Sequence, residues 1–131
     1  MKIQQRLISH AKKLVGKFPL NVKDNSAGGV ASALITKQGH IYTGISMSID
    51  CGIGFCAEAS AIAEMLKNRE TEIEMIVAIH YKENKIIPPC GRCRELIYQI
   101  NKNNINTQII LSETEITSLK SLLPNIWLEN M

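Results

Sequence analysis

Residues 30–67 read VASALITKQGHIYTGISMSIDCGIGFCAEASAIAEMLK, and the fold turns on the change of rhythm within them. Val30 to Thr36 and His40 to Met47 are β-prone runs, and Lys37-Gln38-Gly39 between them is a short polar link containing glycine. The pair reads as a hairpin. Gly52 and Gly54 then loosen the chain, and from Cys56 the spacing becomes helical, with Ala59, Ile62, Ala63 and Leu66 following on one face to about Lys67. A cysteine therefore opens this helix.

Upstream, Ile3, Leu7, Ala11, Leu14 and Val15 recur at helical spacing, which predicts a first helix ending near Gly16. Phe18-Pro19 and the polar run Lys23 to Ser26 read as breaker and loop. Downstream, Met75-Ile76-Val77-Ala78-Ile79 is continuously apolar, as in a central strand covered on both faces, so a strand is expected over Ile73 to Tyr81. Lys82 to Pro89 reads as a loop closed by two prolines, and a helix with Leu96, Ile97 and Ile100 inward is expected from Cys90 or Gly91. Again a cysteine opens a helix. After a polar loop over Asn101 to Asn106 comes a strand over Thr107 to Leu111. Ser112-x-x-Glu115 reads as a capping box for a last helix with Ile116, Leu119 and Leu122, ended by Pro124.

The order α, β, β, α, β, α, β, α predicts an α/β domain with helices on both faces of a sheet, and 131 residues suit one domain, residues 1–131. A hydrophobic share of 45% against 21% charged is that of a globular chain rather than a disordered one. The net charge of +3 is spread along the sequence, so a basic stripe for nucleic acid is not expected. A small-molecule partner fits better. Neither a membrane span nor a secretory signal is evident, and a cytoplasmic protein is expected. Lys2, Arg6, Lys12, Lys13, Lys17 and Lys23 stand without an acid in residues 1 to 23, a superficial likeness to a transit peptide. The helical spacing favours the first helix instead.

Four cysteines, Cys51, Cys56, Cys90 and Cys93, in a cytoplasmic chain point to metal or redox chemistry rather than disulfides. Cys56-Ala57-Glu58 and Pro89-Cys90-Gly91-Arg92-Cys93 each open a helix. In this order they match the signature of zinc nucleoside deaminases, whose first ligand is His or Cys. A catalytic zinc takes three protein ligands and leaves a fourth position to water, lowering its pKa to about 7. Cys56, Cys90 and Cys93 supply three thiolates. Their charge needs compensation, which two helix N-termini and Arg92 supply. Glu58, two residues past a ligand, is placed to carry protons without binding the metal. Two other readings stand beside this one: a closed zinc site that adds Cys51 with Glu58 a solvated bystander, and a redox pair at Cys90 and Cys93. His10, His40 and His80 lack ligand spacing and read as non-ligands.

Val30-Ala31-Ser32-Ala33-Leu34, Gly39 to Gly44 and the two cysteine motifs, including Pro-Cys-Gly-x-Cys-Arg, make the chain similar to the small cytidine deaminases from Val30 to Trp127. The resemblance implies a three-layer α/β/α cytidine deaminase-like fold with a mixed five-stranded sheet, usually assembled as a homotetramer, with a dimer the other possibility. It also implies Zn2+ as cofactor and a cytosine nucleoside as substrate. Ordinary members carry a Phe where Gly28 stands, and an Asn-x-Glu ribose grip where Ser46-Met47-Ser48 stands.

With Cys-Gly-Arg-Cys and a Leu122-Leu123-Pro124 tail followed by Trp127, the chain more closely resembles the blasticidin S deaminases. By that resemblance Ser46, Ser48, Ala57, Asn84 and Trp127 are candidate substrate-binding residues. Asn84 stands where this subgroup has Arg, with Lys85 beside it as a substitute cation. Trp127 either covers a pocket, its own or a neighbour's, or is buried at an interface. The activity implied is hydrolytic removal of the 4-amino group from a cytosine nucleoside or a blasticidin S type antibiotic. Ordinary cytidine or deoxycytidine salvage and a non-catalytic zinc-stabilised binding protein are the alternatives.

Overall fold

A computed structural model describes residues 1–131. Along the chain come α1 (Ile3–Leu14), β1 (Phe18–Pro19), β2 (Ser26–Thr36), β3 (Ile41–Ser48), α2 (Ala57–Lys67), β4 (Ile73–His80), β5 (Lys85–Ile87), α3 (Gly91–Ile100), β6 (Gln108–Ile110), β7 (Ile116–Ser118) and α4 (Leu119–Leu122). Short 3-10 turns lie at Asp50–Gly52, Lys82–Asn84 and Lys102–Asn106.

Side chains of a strand alternate between faces, and the two faces of β2 and β4 meet different helices. Ala31, Ala33 and Ile35 of β2, with Met75, Val77 and Ile79 of β4, pack on Leu7, Ile8 and Ala11 of α1. Leu34 and Ile76 point the other way, into Ala61, Ile62 and Met65 of α2, Ile97 and Tyr98 of α3, and Leu119 of α4. One helix on one face and three on the other give the three layers. The continuous apolar run of β4 is thereby explained, since both of its faces are buried.

The sheet has seven strands where five were expected. Five lie side by side as β3-β2-β4-β6-β7; β4 and β6 run parallel and the other neighbours antiparallel, so the sheet is mixed. The other two extend its edges. β1 pairs with Ser26 and Ala27, whose opposite edge is taken by β3, and β5 pairs with Ala78 to His80, whose opposite edge is taken by β2.

Three sequence expectations need correction. The segment over Lys82 to Pro89 is not simply a loop, because Lys85 to Ile87 adds β5 to the free edge of β4. Ser112-x-x-Glu115 does not open a helix. The Ser112 hydroxyl accepts from the N–H groups of Thr114 and Glu115, and Ser112 N–H donates to the Glu115 carbonyl, closing a tight turn between β6 and β7. Serine satisfies turn and cap alike, and the β-branched pair Ile116-Thr117 went to the open edge of β6. Only Leu119–Leu122 is helical, capped by the Ser118 hydroxyl accepting from Ser121 N–H. Phe18-Pro19 is not only a breaker, because it pairs with Ser26 and Ala27 as β1; the first helix does end near Gly16, at Leu14, and Gly16 N–H donates to the Gly28 carbonyl.

Val30 pairs with His80, so the start of the regular β2 ladder and the end of β4 share one end of the sheet. There β3 also ends, and the chain re-enters as α2 from the Met47–Phe55 bridge. The opposite end carries Thr36, His40 and Glu70.

Candidate metal and catalytic site

Gly54 fixes the entry to α2, because a Cβ there would lie 2.1 Å from the Met47 carbonyl oxygen. That close approach lets Phe55 and Met47 exchange N–H···O bonds of 3.0 and 3.2 Å, pinning the loop to β3. Gly44 does the same for the helix body, since a Cβ there would sit 2.4 Å from Ala61 N. Cys56 follows as the N-cap residue of α2. On the other element, Arg94 donates from Nε to the Pro89 carbonyl at 2.8 Å and from Nη1 to the Leu122 carbonyl at 3.2 Å. This ties the Pro89–Cys90 turn to the C-terminal segment, with Cys90 as the N-cap of α3 and Cys93 one turn in.

The sulfurs of Cys56, Cys90 and Cys93 all lie within 4.8 Å of one another, and Cys56 Sγ is 3.6 Å from Cys90 Sγ. Thiolates at the usual 2.3 Å from a tetrahedral zinc would be roughly 3.8 Å apart. The spacing suits that ion. Burial pushes the Cys56 thiol up, and the neighbouring Cys90 adds to this. It pushes the Cys93 thiol up as well, with the Glu58 charge next in importance. Burial also opposes ionisation of Cys90, but the N–H groups of Cys93 and Arg92 and the neighbouring thiols hold it below the ordinary range. Three crowded sulfurs that resist ionising together are a donor set completed by a cation. Cys51 lies outside the cluster, exposed on its turn, so a four-thiolate site is not assembled.

Glu58, in the first turn of α2, is only 5% exposed, and burial raises its carboxyl above the usual range against the pull of its own N–H and the Cys93 thiol. It faces a cleft of about 430 Å3. Cys56, Cys90, Ala57, Ser46, Ser48 and Arg92 line the same cleft, so the structure brings together nearly all the residues singled out by sequence. Cys93 is buried beneath.

Two candidates are elsewhere. Asn84 is exposed in the turn before β5, away from the cleft, and Lys85 is exposed on β5. Trp127 is 60% exposed in the C-terminal segment and does not line this chain's cleft. The histidines stay apart from the sulfurs: His40 meets Glu70, and His80 stacks on Tyr81. Sequence reasoning missed the apolar walls Met47, Phe55, Ile87 and Pro88. Their one signal was adjacency to the cysteine motifs and the serine pair.

The pattern that defines the cytidine and deoxycytidylate deaminase zinc-binding region matches residues 1–109. A blasticidin-S deaminase from Bacillus cereus is 33% identical over 103 residues, covering 72% of this chain and 73% of that protein. Among solved structures, cytidine deaminase from Mycobacterium tuberculosis superposes with a TM-score of 0.78 at 18% identity, over 97% of this chain and 98% of its own. The Burkholderia pseudomallei cytidine deaminase gives 0.76 at 24% identity, over 97% and 100%. With a three-sulfur cluster suited to Zn2+ at the head of two helices, the chain belongs to the cytidine and deoxycytidylate deaminase family and is a zinc-dependent hydrolytic deaminase.

Proposed function

We propose that the chain replaces the 4-amino group of a cytosine nucleoside, or of a cytosine-nucleoside antibiotic of the blasticidin S type, with oxygen and releases ammonia. One observation carries this reading: a buried carboxylate, Glu58, opens into a cleft beside three sulfurs that leave a tetrahedral ion one free position. Zinc held by Cys56, Cys90 and Cys93 would supply the activated water. Glu58 takes a proton from the attacking water and passes it to ring nitrogen N3 as the oxygen bonds to C4. It then moves the hydroxyl proton to the amino nitrogen, the C4–N bond breaks, and ammonia leaves. Its raised affinity for protons suits a group that must hold one between steps.

Ser46 and Ser48 form the sugar side of the cleft. Ser46 Oγ already accepts from Val30 N–H at 3.0 Å, where the β2–β3 register shifts, so its hydrogen is free to donate to the sugar. A carboxylate there would accept from ribose hydroxyls with a full charge, whereas Ser46 has already committed one lone pair to Val30 N–H and Ser48 brings only a neutral hydroxyl. This supports a cytosine compound with a modified sugar over plain cytidine. Arg92, at the rim, balances the thiolate charge.

We also infer a homotetramer acting in the cytoplasm. Ile53 (72% exposed) and Trp127 are apolar surfaces that a second copy would cover, and none of the four cysteines is joined in a disulfide, as a reducing compartment keeps them. Following loss of the cytosine chromophore with cytidine, deoxycytidine, cytosine and blasticidin S tests the substrate. Turnover of a cytosine nucleoside or the antibiotic is expected, and turnover of none by zinc-loaded protein would overturn the reading.

A further inference from the structure

A second cavity of about 180 Å3 shares Val30, Ser46 and Ser48 with the cleft, so the two meet across the serine pair. Its remaining wall brings Lys17, Ser26, His80 and Tyr81 around Gly29. No carboxylate lines it. Asp24 stands in the adjoining hollow and makes no ion pair with Lys17.

The polar groups here point one way chemically. Lys17 Nζ lies 5.7 Å from the Tyr81 ring centroid, above an aromatic face that holds a cation. His80 stacks on the same tyrosine with ring centroids 4.8 Å apart. His80 Nδ1 accepts the Lys82 N–H at 3.1 Å, which leaves Nε2 carrying the hydrogen as a donor. Ser46 likewise accepts from the backbone and keeps its hydroxyl hydrogen to give. An ammonium, an imidazole N–H and a hydroxyl all donate, and nothing charged opposes them. Such a set recognises an anion.

Resting on the deaminase reading above, we propose that this second cavity is a subsite for an anionic substituent, carboxylate or phosphate, on the substrate's sugar, with Lys17 and His80 as its specificity-determining residues. With the cytosine ring at the Glu58 end of the cleft, the sugar crosses Ser46 and Ser48, and its far end enters this cavity. The absence of a larger side chain at Gly29 keeps it open. A Cβ at Gly29 would touch Tyr81 at 3.7 Å and Ser46 Oγ at 4.0 Å, so a longer side chain there would grow into the space without a backbone clash.

The test is steady-state kinetics on cytidine, cytidine 5′-monophosphate and cytidine whose 5′-carbon is oxidised to a carboxylate. One or both anions should exceed cytidine in kcat/KM by roughly five- to tenfold, mainly through KM, a modest gain because Lys17 is exposed. Which anion gains separates a phosphate from a carboxylate subsite. Lys17→Gln should collapse the anion-to-cytidine ratio to near one, Lys17→Arg should retain most of it, and Gly29→Leu should lower it by blocking the space. Turnover of cytidine with no gain for either anion, or a ratio untouched by Lys17→Gln, would overturn the subsite while leaving the deaminase reading standing. Turnover of no cytosine compound would overturn both.

Discussion

Two glutamates lie buried at opposite ends of the β2–β3 hairpin, Glu58 at 5% exposure and Glu70 at 6%, and their surroundings could hardly differ more. Glu70 Oε2 accepts from the Tyr42 hydroxyl and lies 2.9 Å from His40 Nδ1, with the Thr36 hydroxyl close by. The hydroxyls of Thr36 and Tyr42, and then His40, hold its carboxyl below the ordinary range. Glu58 has only its own N–H and the Cys93 thiol to set against burial, which pushes its carboxyl the opposite way. A carboxylate given donors becomes a clasp. One whose few donors do not offset burial, beside a cleft and a metal cluster, stays available for protons.

The sharpest way to break this comparison is to exchange each glutamate for glutamine. Glu58→Gln should keep its zinc, measured by metal analysis, and melt no lower than wild type, yet lose roughly a hundred- to ten-thousandfold in kcat. Near-normal turnover would exclude Glu58 as the proton carrier.

The sugar side should respond less. Restoring Asn at Ser46 and Glu at Ser48 is expected to raise kcat/KM for cytidine by roughly tens of fold, because charged hydrogen bonds to ribose are regained. No gain for cytidine would mean that the serine pair does not set sugar preference.

At the clasp, Glu70→Gln should leave kcat near wild type and lower Tm at pH 7 by roughly a few degrees. The sign of its pH dependence is fixed by the depressed carboxyl. Its stabilisation is complete above the unfolded-state pKa and is lost as pH falls through the lower folded-state pKa. The Tm gap between wild type and variant should therefore narrow as the acid limb is descended, and a gap constant with pH would contradict the clasp. The smallest effect belongs to Cys51→Ser, expected to shift stability by under about 0.5 kcal/mol and to leave zinc content unchanged, since Cys51 is exposed and outside the cluster.

The two ends also differed in how far they could be read from sequence. Cys56-Ala57-Glu58 and Cys90-Gly91-Arg92-Cys93 were legible because ligand chemistry demands particular residue types at short spacing on helix starts. The hairpin and the double-faced β4 were legible by their periods. Glu70 gave no signal, because its partners Thr36, His40 and Tyr42 are some thirty residues away and meet it only after α2 folds back on the hairpin. For the same reason Lys17, His80 and Tyr81 could not be grouped beforehand. The turn over Ser112 to Glu115 misled because the hydroxyl that caps a helix also closes a turn, and the open edge of β6 decided between them.

Zinc-edge X-ray absorption on the purified protein tests the central claim most directly, because a catalytic centre and a structural one differ in their fourth neighbour. Three sulfurs near 2.3 Å and one oxygen near 2.0 Å, at about one zinc per chain, are expected. Four sulfurs would contradict the account, since they would close the position that the cleft and Glu58 are built around.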